Sequence, residues 1–146
     1  MTPFVQLIIK QTSSKISIVK YKMRGEVMIY LLQPILYKNI IYDIIKKNLL
    51  KHFTLKKITV HQLHIINNKN NNAYFIIHDK HLKSWNGFNI SKTIRQKDHN
   101  AHIILITNDL DYPKYYRSHI RFLSIIDLDS NQKEHEIQEI LQYLIW

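Results

Sequence analysis

Tyr74-Phe75-Ile76-Ile77-His78-Asp79 is the stretch that decides the fold. Four apolar residues follow one another without a polar break and stop at a histidine and a carboxylate. A strand with one face in water alternates apolar and polar residues. A strand that is apolar on both faces belongs in the middle of a sheet covered by helices on each side. Ile103 to Ile106, ending at Thr107, repeats the pattern, and Val27 to Leu32 and Phe122 to Ile126 are shorter versions of it. Between these runs the apolar spacing changes to that of a helix. Leu36, Ile40, Ile41, Ile44 and Ile45 recur through Leu49, behind a Pro34 suited to a first helical turn. Phe88, Ile90 and Ile94 mark a helix ending near Asp98, and Tyr112 to His119 a weak one. A last helix starts at Ser130, with Ile137, Ile140, Leu141 and Leu144 as its buried stripe and Glu134 and Glu136 placed favourably near its N-terminus. Continuous apolar strands separated by helices predict a three-layer α/β domain around a parallel sheet. Chemistry in such sheets collects at the C-terminal strand ends, where Leu32-Gln33, Asp79, Thr107-Asn108 and Asp127 stand.

The second strand is expected at Lys57 to Leu63, which is rich in β-branched residues, followed by a polar loop over Asn67 to Asn72. From His61 to Ala73 there are 13 residues, enough for a crossover whose helix is a turn or two. The alternative is a hairpin between Lys57–Ile66 and Ala73–Ile77; the crossover is preferred. Residues 1–26 form an N-terminal extension to a domain over 27–146. Two apolar pieces, Phe4 to Ile9 and Ile16 to Met23, flank Gln11-Thr12-Ser13-Ser14 and suit a weak hairpin. A second reading makes the extension a translated leader. Arg24-Gly25-Glu26 is what a purine-rich ribosome-binding sequence would encode, a few bases upstream of Met28, which is then the real start.

The chain has 146 residues, with 21 Lys+Arg against 11 Asp+Glu and a formal charge of +10. The absence of Cys excludes disulfides, thiolate nucleophiles and Cys-built zinc sites, and 2 Gly exclude Gly-rich phosphate loops. No apolar run reaches the roughly 18 residues of a membrane span, so a cytoplasmic domain with no membrane partner is expected. His78, Asp79 and His81 do not make a metal site, because adjacent strand residues point to opposite faces. His61 and His64 suit a helix better than a strand, and no metal is expected. Trp85 and Trp146 are read as packing residues. The basic residues concentrate in the first half. Lys46, Lys47, Lys51, Lys56 and Lys57 could hold a nucleic-acid backbone without sequence preference. They equally fit a solvated lysine face encoded by AT-rich codons, and no recognition motif accompanies them.

With Tyr74 to Asp79 come Leu82, Asn86-Gly87-Phe88, Ile94-Arg95, Asp98, and Ile103 to Thr107. This series resembles the receiver domain of response regulators. It is similar above all to the receivers of accessory-gene-regulator and competence-type regulators, which carry a LytTR DNA-binding domain after the receiver. The resemblance covers roughly residues 27–145. It implies a flavodoxin-like (βα)5 fold with a parallel sheet of order 2-1-3-4-5, here with a shortened second helix. It also implies a mechanism, in which an Asp carboxylate takes a phosphoryl group from a kinase phosphohistidine while Mg²⁺, held by an acidic pair, neutralises charge.

Carried over residue by residue, Asp79 matches the phosphoacceptor and Thr107 the hydroxyl that contacts the phosphoryl group. The acidic pair falls at Leu32 and Gln33, the strand-end Lys near Asp127, and the switch aromatic at Ser124. None of these four matches. The expectation is a stand-alone pseudo-receiver of two-component or quorum-sensing signalling and transcription regulation, neither an enzyme nor dependent on Mg²⁺ or another cofactor. Its partners would be a sensor kinase, a full-length response regulator or a second copy, bound through residues 112–142. The alternatives are a basic nucleic-acid-binding regulator and an active phosphoacceptor that uses Asp79.

Overall fold

The computed structural model of the chain describes residues 5–12, 15–22, 27–66 and 71–145, and for 5–22 the backbone alone. Ser13-Ser14, Arg24-Gly25-Glu26, residues 67–70 of the Asn-rich stretch and Trp146 lie outside the described residues. Strand β1 (Val5–Thr12) pairs antiparallel with β2 (Lys15–Lys22) in a sheet of its own. From Val27 onward strands and helices alternate: β3 (Val27–Leu32), α1 (Ile40–Lys47), β4 (Phe53–Ile58), a 3₁₀ turn (Val60–Ile65), β5 (Asn71–His78), α2 (Gly87–Lys97), β6 (His102–Thr107), α3 (Tyr112–Arg117), β7 (Ser124–Asp127) and α4 (Lys133–Tyr143).

The five strands after the hairpin form one sheet in the order β4-β3-β5-β6-β7, all parallel. Counted from Val27 this is the expected 2-1-3-4-5 order with a shortened second helix. Because β4 and β5 both run parallel to β3, the connection between them is a crossover and the hairpin alternative is excluded. The apolar runs are buried on both faces, as their lack of alternation requires. Ile29, Leu31, Phe75, Ile77, Ile104 and Ile106 pack under α1 and α4. Leu32, Tyr74, Ile76, Ile103 and Leu105 pack under α2, α3 and the 3₁₀ turn.

Several boundaries differ from the sequence reading. Strand β7 begins at Ser124 and not Phe122, α4 begins at Lys133 and not Ser130, and three further shifts have a visible cause or consequence. The second strand is Phe53–Ile58, not Lys57–Leu63. Phe53 and Leu55 reach the α1 side of the core and Ile58 the other. At Thr59 the chain turns, because the Gln62 side-chain oxygen accepts from the Thr59 N–H at 2.8 Å and winds Val60–Ile65 into the 3₁₀ turn. Strand β5 begins at Asn71, three residues before the expected start and inside the expected loop. Helix α1 begins at Ile40, since Pro34 to Tyr37 closes a turn in which the Tyr37 N–H bonds the Pro34 carbonyl at 3.0 Å. Leu36 and Ile40 are therefore exposed, while Ile41 and Ile45 carry the buried stripe of α1.

Two contacts fix α2. Its first residue, Gly87, lies so close to the end of β5 that a Cβ there would stand 2.2 Å from the Ile77 carbonyl oxygen. Trp85 Nε1 donates to the same oxygen at 2.7 Å. At the other end, the buried Arg95 guanidinium donates to the carbonyls of Ile120 (2.6 Å), His99 (2.8 Å), Asp98 (3.2 Å) and Arg121 (3.2 Å). His119 and Arg121 flank Ile120 with φ of 62° and 60°, left-handed values that non-glycine residues adopt only when held there. Arg95 supplies the hold.

Candidate functional site

The strands of the main sheet end, on the α1–α4 side, in an open cleft of about 590 Å³. Leu36, Tyr37, Lys38, Ile40 and Ile41 form one wall, and Leu128, Asp129 and Lys133 the other. Asp79, His81 and Asn108 form the floor. Asp79 stands one residue beyond β5, where the backbone has left the ladder and the carboxylate projects past the strand ends. Oδ1 accepts from Asn108 Nδ2 at 2.9 Å and from the His81 N–H at 3.0 Å. Oδ2 accepts from the Tyr37 hydroxyl at 2.9 Å.

Burial pushes the Asp79 pKa up, but the bonds from Asn108, His81 and Tyr37 favour the charged form and leave it below the usual carboxylate range. The phenol responds in the opposite sense. Burial and the bond to Asp79 raise the Tyr37 pKa, so Tyr37 remains a donor. The cleft thus holds an ionised carboxylate whose oxygens are occupied by protein donors.

The other expected site residues are distributed by the period of the strand. Leu105 packs on the α2 side of the sheet, and Thr107, two residues on, faces the same way. Its fully buried hydroxyl accepts from the Asp109 N–H at 2.9 Å, away from Asp79. Asn108 holds the place beside the carboxylate, and its Oδ1 also accepts from the Lys80 N–H at 2.8 Å. At the end of β7 the same alternation operates. Asp127 is paired in register with Thr107, and the cleft receives Leu128 and Asp129 instead. Asp127 therefore does not line the cleft with Asp79. The cation that lines it is Lys133, from the first turn of α4, with Lys38 on the opposite wall.

Leu32 is sealed in the core on the α2 side. Gln33 is buried, its Nε2 donating to Asn39 Oδ1 at 3.0 Å and its Oε1 lacking a hydrogen-bond partner. Ser124 lies at the far end of β7 beside α4, in a separate groove with Glu136 and Tyr143.

The Mg²⁺ that the resemblance implies does not fit this donor set. A hard divalent cation takes about six oxygen ligands. The cleft offers two carboxylates, Asp79 and Asp129, and the oxygens of the first already accept from protein donors. No group of three His, Asp or Glu side chains with metal-binding geometry occurs among the described residues. His78 is buried on the opposite face from Asp79. Its Nδ1 accepts from the Gly87 N–H at 3.1 Å, which places its proton on Nε2, 3.8 Å from Asp109 Oδ2. Burial holds its pKa below the usual histidine value.

The five lysines considered for nucleic acid do not converge. Lys47 pairs with Glu134 at 3.5 Å. Lys57 lies 4.8 Å above the Tyr42 ring and donates to Asn39. Lys56, the neighbour of Lys57 in β4, emerges on the other face of the sheet. No described helix is long and apolar enough to cross a membrane.

The sequence reading set Asn108 at the strand ends without giving it a role, and did not single out Tyr37 or Lys133 for the cleft. The place of Asn108 beside Asp79 follows from counting alternation forward from Ile104 and Ile106. For Tyr37 and Lys133, which arrive from a loop and a helix terminus, no local signal existed.

No family model matches the chain, and no curated protein does. Solved structures do. A response regulator from Thermotoga maritima superposes with a TM-score of 0.58 at 12% identity, over 81% of this chain and 96% of that one. The response regulator TrrA of the same organism, solved with Mg²⁺ and a beryllium fluoride, gives 0.55 at 16% identity, over 82% and 98%. The receiver domain of AraT, a response regulator from Geobacillus stearothermophilus, gives 0.56 at 14%, over 80% and 91%. These identities establish architecture alone, and together with the strand order and the cleft at the strand ends they lead to one statement. The chain has the fold of a response-regulator receiver domain.

Proposed function

We propose that this chain is a pseudo-receiver of bacterial two-component or quorum-sensing signalling, which acts in the cytoplasm by binding protein partners and not by taking a phosphoryl group. One observation carries the reading. The Asp79 carboxylate, at the phosphoacceptor position, is occupied by Tyr37, Asn108 and the His81 N–H in a cleft short of metal ligands. A carboxylate nucleophile needs a free oxygen and a cation that neutralises the incoming phosphoryl group. Leu32 and Gln33, where the acidic pair would stand, supply neither charge nor access. The Thr107 hydroxyl is turned away from the cleft, and the partner-binding role falls to the 112–142 face with its exposed Tyr112 and Tyr116. The partner class is a sensor kinase or a full-length response regulator.

Acetyl phosphate and Mg²⁺ test the reading, with intact mass as the readout. The expected outcome is no phosphoryl adduct on the wild-type chain. A stoichiometric adduct that disappears in Asp79→Asn would make the chain an active receiver.

A further inference from the structure

The two edges of the main sheet carry opposite charge, and each keeps apolar side chains in water. One edge is β4, where Lys56 and Lys57 are exposed. Lys57 shares a small depression with Ile35, which is 86% exposed, and Val60 follows at the start of the 3₁₀ turn, itself exposed. Residues 28–66 hold six Lys against the single acid Asp43. The other edge is β7. Between it and α4 runs a groove of about 330 Å³, lined by Leu123, Ser124, Ile140 and Tyr143 with Glu136 and Glu139 on it. Tyr143 is 57% exposed there. Residues 110–145 hold six acids against four bases; two of the acids are paired, Glu134 with Lys47 and Glu139 with His135, and three of the bases are engaged elsewhere. Lys114 lies over the Phe88 ring, Arg121 donates to the His99 carbonyl, and Lys133 lines the Asp79 cleft.

We infer that the occupant of the β7–α4 groove is the β4 edge of a second copy of this chain, docked head to tail. Lys57 of one molecule then meets Glu136 and Glu139 of the next, with Lys56 on the other face of the same edge strand, and Ile35 and Val60 cover the apolar floor of the groove. Charge decides against the symmetric choices. A two-fold pairing of β7 edges sets Glu136 and Glu139 against themselves, and a two-fold pairing of β4 edges does the same to Lys56 and Lys57. The heterologous contact alone joins opposite charges. It leaves a free β4 edge on one molecule and a free groove on the other, so it adds further copies unless a ring closes. This inference is independent of whether Asp79 takes a phosphoryl group.

Sedimentation equilibrium on the full chain provides the test, at concentrations up to on the order of 100 μM. Mass above the monomer is expected at low salt, rising with concentration past the dimer or to a closed ring and falling as salt screens the contact. The double variants Lys56→Glu/Lys57→Glu and Glu136→Lys/Glu139→Lys are each expected to remain monomeric alone and to associate when mixed. Combining all four substitutions in one chain should restore self-association. Lys57 also touches Tyr42 and Asn39, so far-UV circular dichroism accompanies these variants. Ile35→Asp, at a side chain almost wholly in water, gives a second route to loss of association. A monomeric wild-type chain at low salt would overturn the inference. So would double variants that still associate alone, or a mixture that stays monomeric.

Discussion

The Tyr37 phenol and the Asp79 carboxylate shift each other's ionisation in opposite directions, and each shift has a measurable consequence. Tyr37→Phe removes one donor from Oδ2 without emptying the space of the ring. A stability loss of about 0.5–1.5 kcal/mol in urea denaturation is expected. The Asp79 pKa is lowered in the folded chain, so its contribution is present above the unfolded value of roughly 3.9 and disappears as pH falls through the folded one. In Tyr37→Phe that disappearance should begin at higher pH, readable as a raised carboxyl-carbon titration by NMR. His78 works at higher pH. Burial lowers its pKa, so the unfolded chain binds a proton first and stability drops as pH falls from about 6.5 toward the folded value. Denaturation midpoints should decline over that window, and the decline should flatten in His78→Gln. The misplaced roles belong to this scale too. Thr107 and Asp127 were each one residue from the side chain that enters the cleft, and in a strand one residue is the difference between the two faces of a sheet. Asp79 escaped that ambiguity because Gly87 and Trp85 anchor the turn after it to Ile77.

At the scale of elements, legibility followed burial. Strands β5 and β6 lie between neighbours on both sides and helices on both faces, so their sequences are unbroken apolar runs that admit one reading. Strand β4 is an edge strand that turns Lys56 and Lys57 to water, and its Phe53, Leu55 and Ile58 give no such run. The β-branched stretch from Ile58 to Val60 looks more like a strand than β4 does. A single side-chain bond from Thr59 to Gln62 turns it into a 3₁₀ start. The first helix was misread at its N-terminus for a related reason. Leu36 and Ile40 continue the helical spacing of Ile41 and Ile45, but Pro34 to Tyr37 closes its own turn and presents Tyr37 to Asp79. The seam between β5 and α2 offers the sharpest test of an element. Gly87→Ala forces a methyl against the Ile77 carbonyl and the His78 side chain, neither of which can retreat without shifting the strand or the helix. A loss of about 2–3 kcal/mol is expected, seen as a lower urea midpoint with an unchanged slope.

The whole molecule combines a sheet buried at its centre with two open edges. Native-state hydrogen exchange should rank it accordingly, with the amides of Phe75 to Ile77 and Ile104 to Ile106 slowest and those of β4 and β7 faster. Edge strands exchanging as slowly as the centre would contradict that ranking. Architecture at this scale was readable because it depends on which segments must avoid water, and that is written in runs of residue types. Which residues meet at the cleft depends on loop closure and helix placement, as with Tyr37 and Lys133. The bond from Trp85 Nε1 to the Ile77 carbonyl has one more consequence. It places an indole, one of two in the chain, on the hinge line where the strand carrying Asp79 hands over to α2. With Trp146 replaced by phenylalanine, the remaining emission becomes an optical gauge at the foot of the cleft. Its colour and quenching would register any partner that pries the seam between β5 and α2 apart.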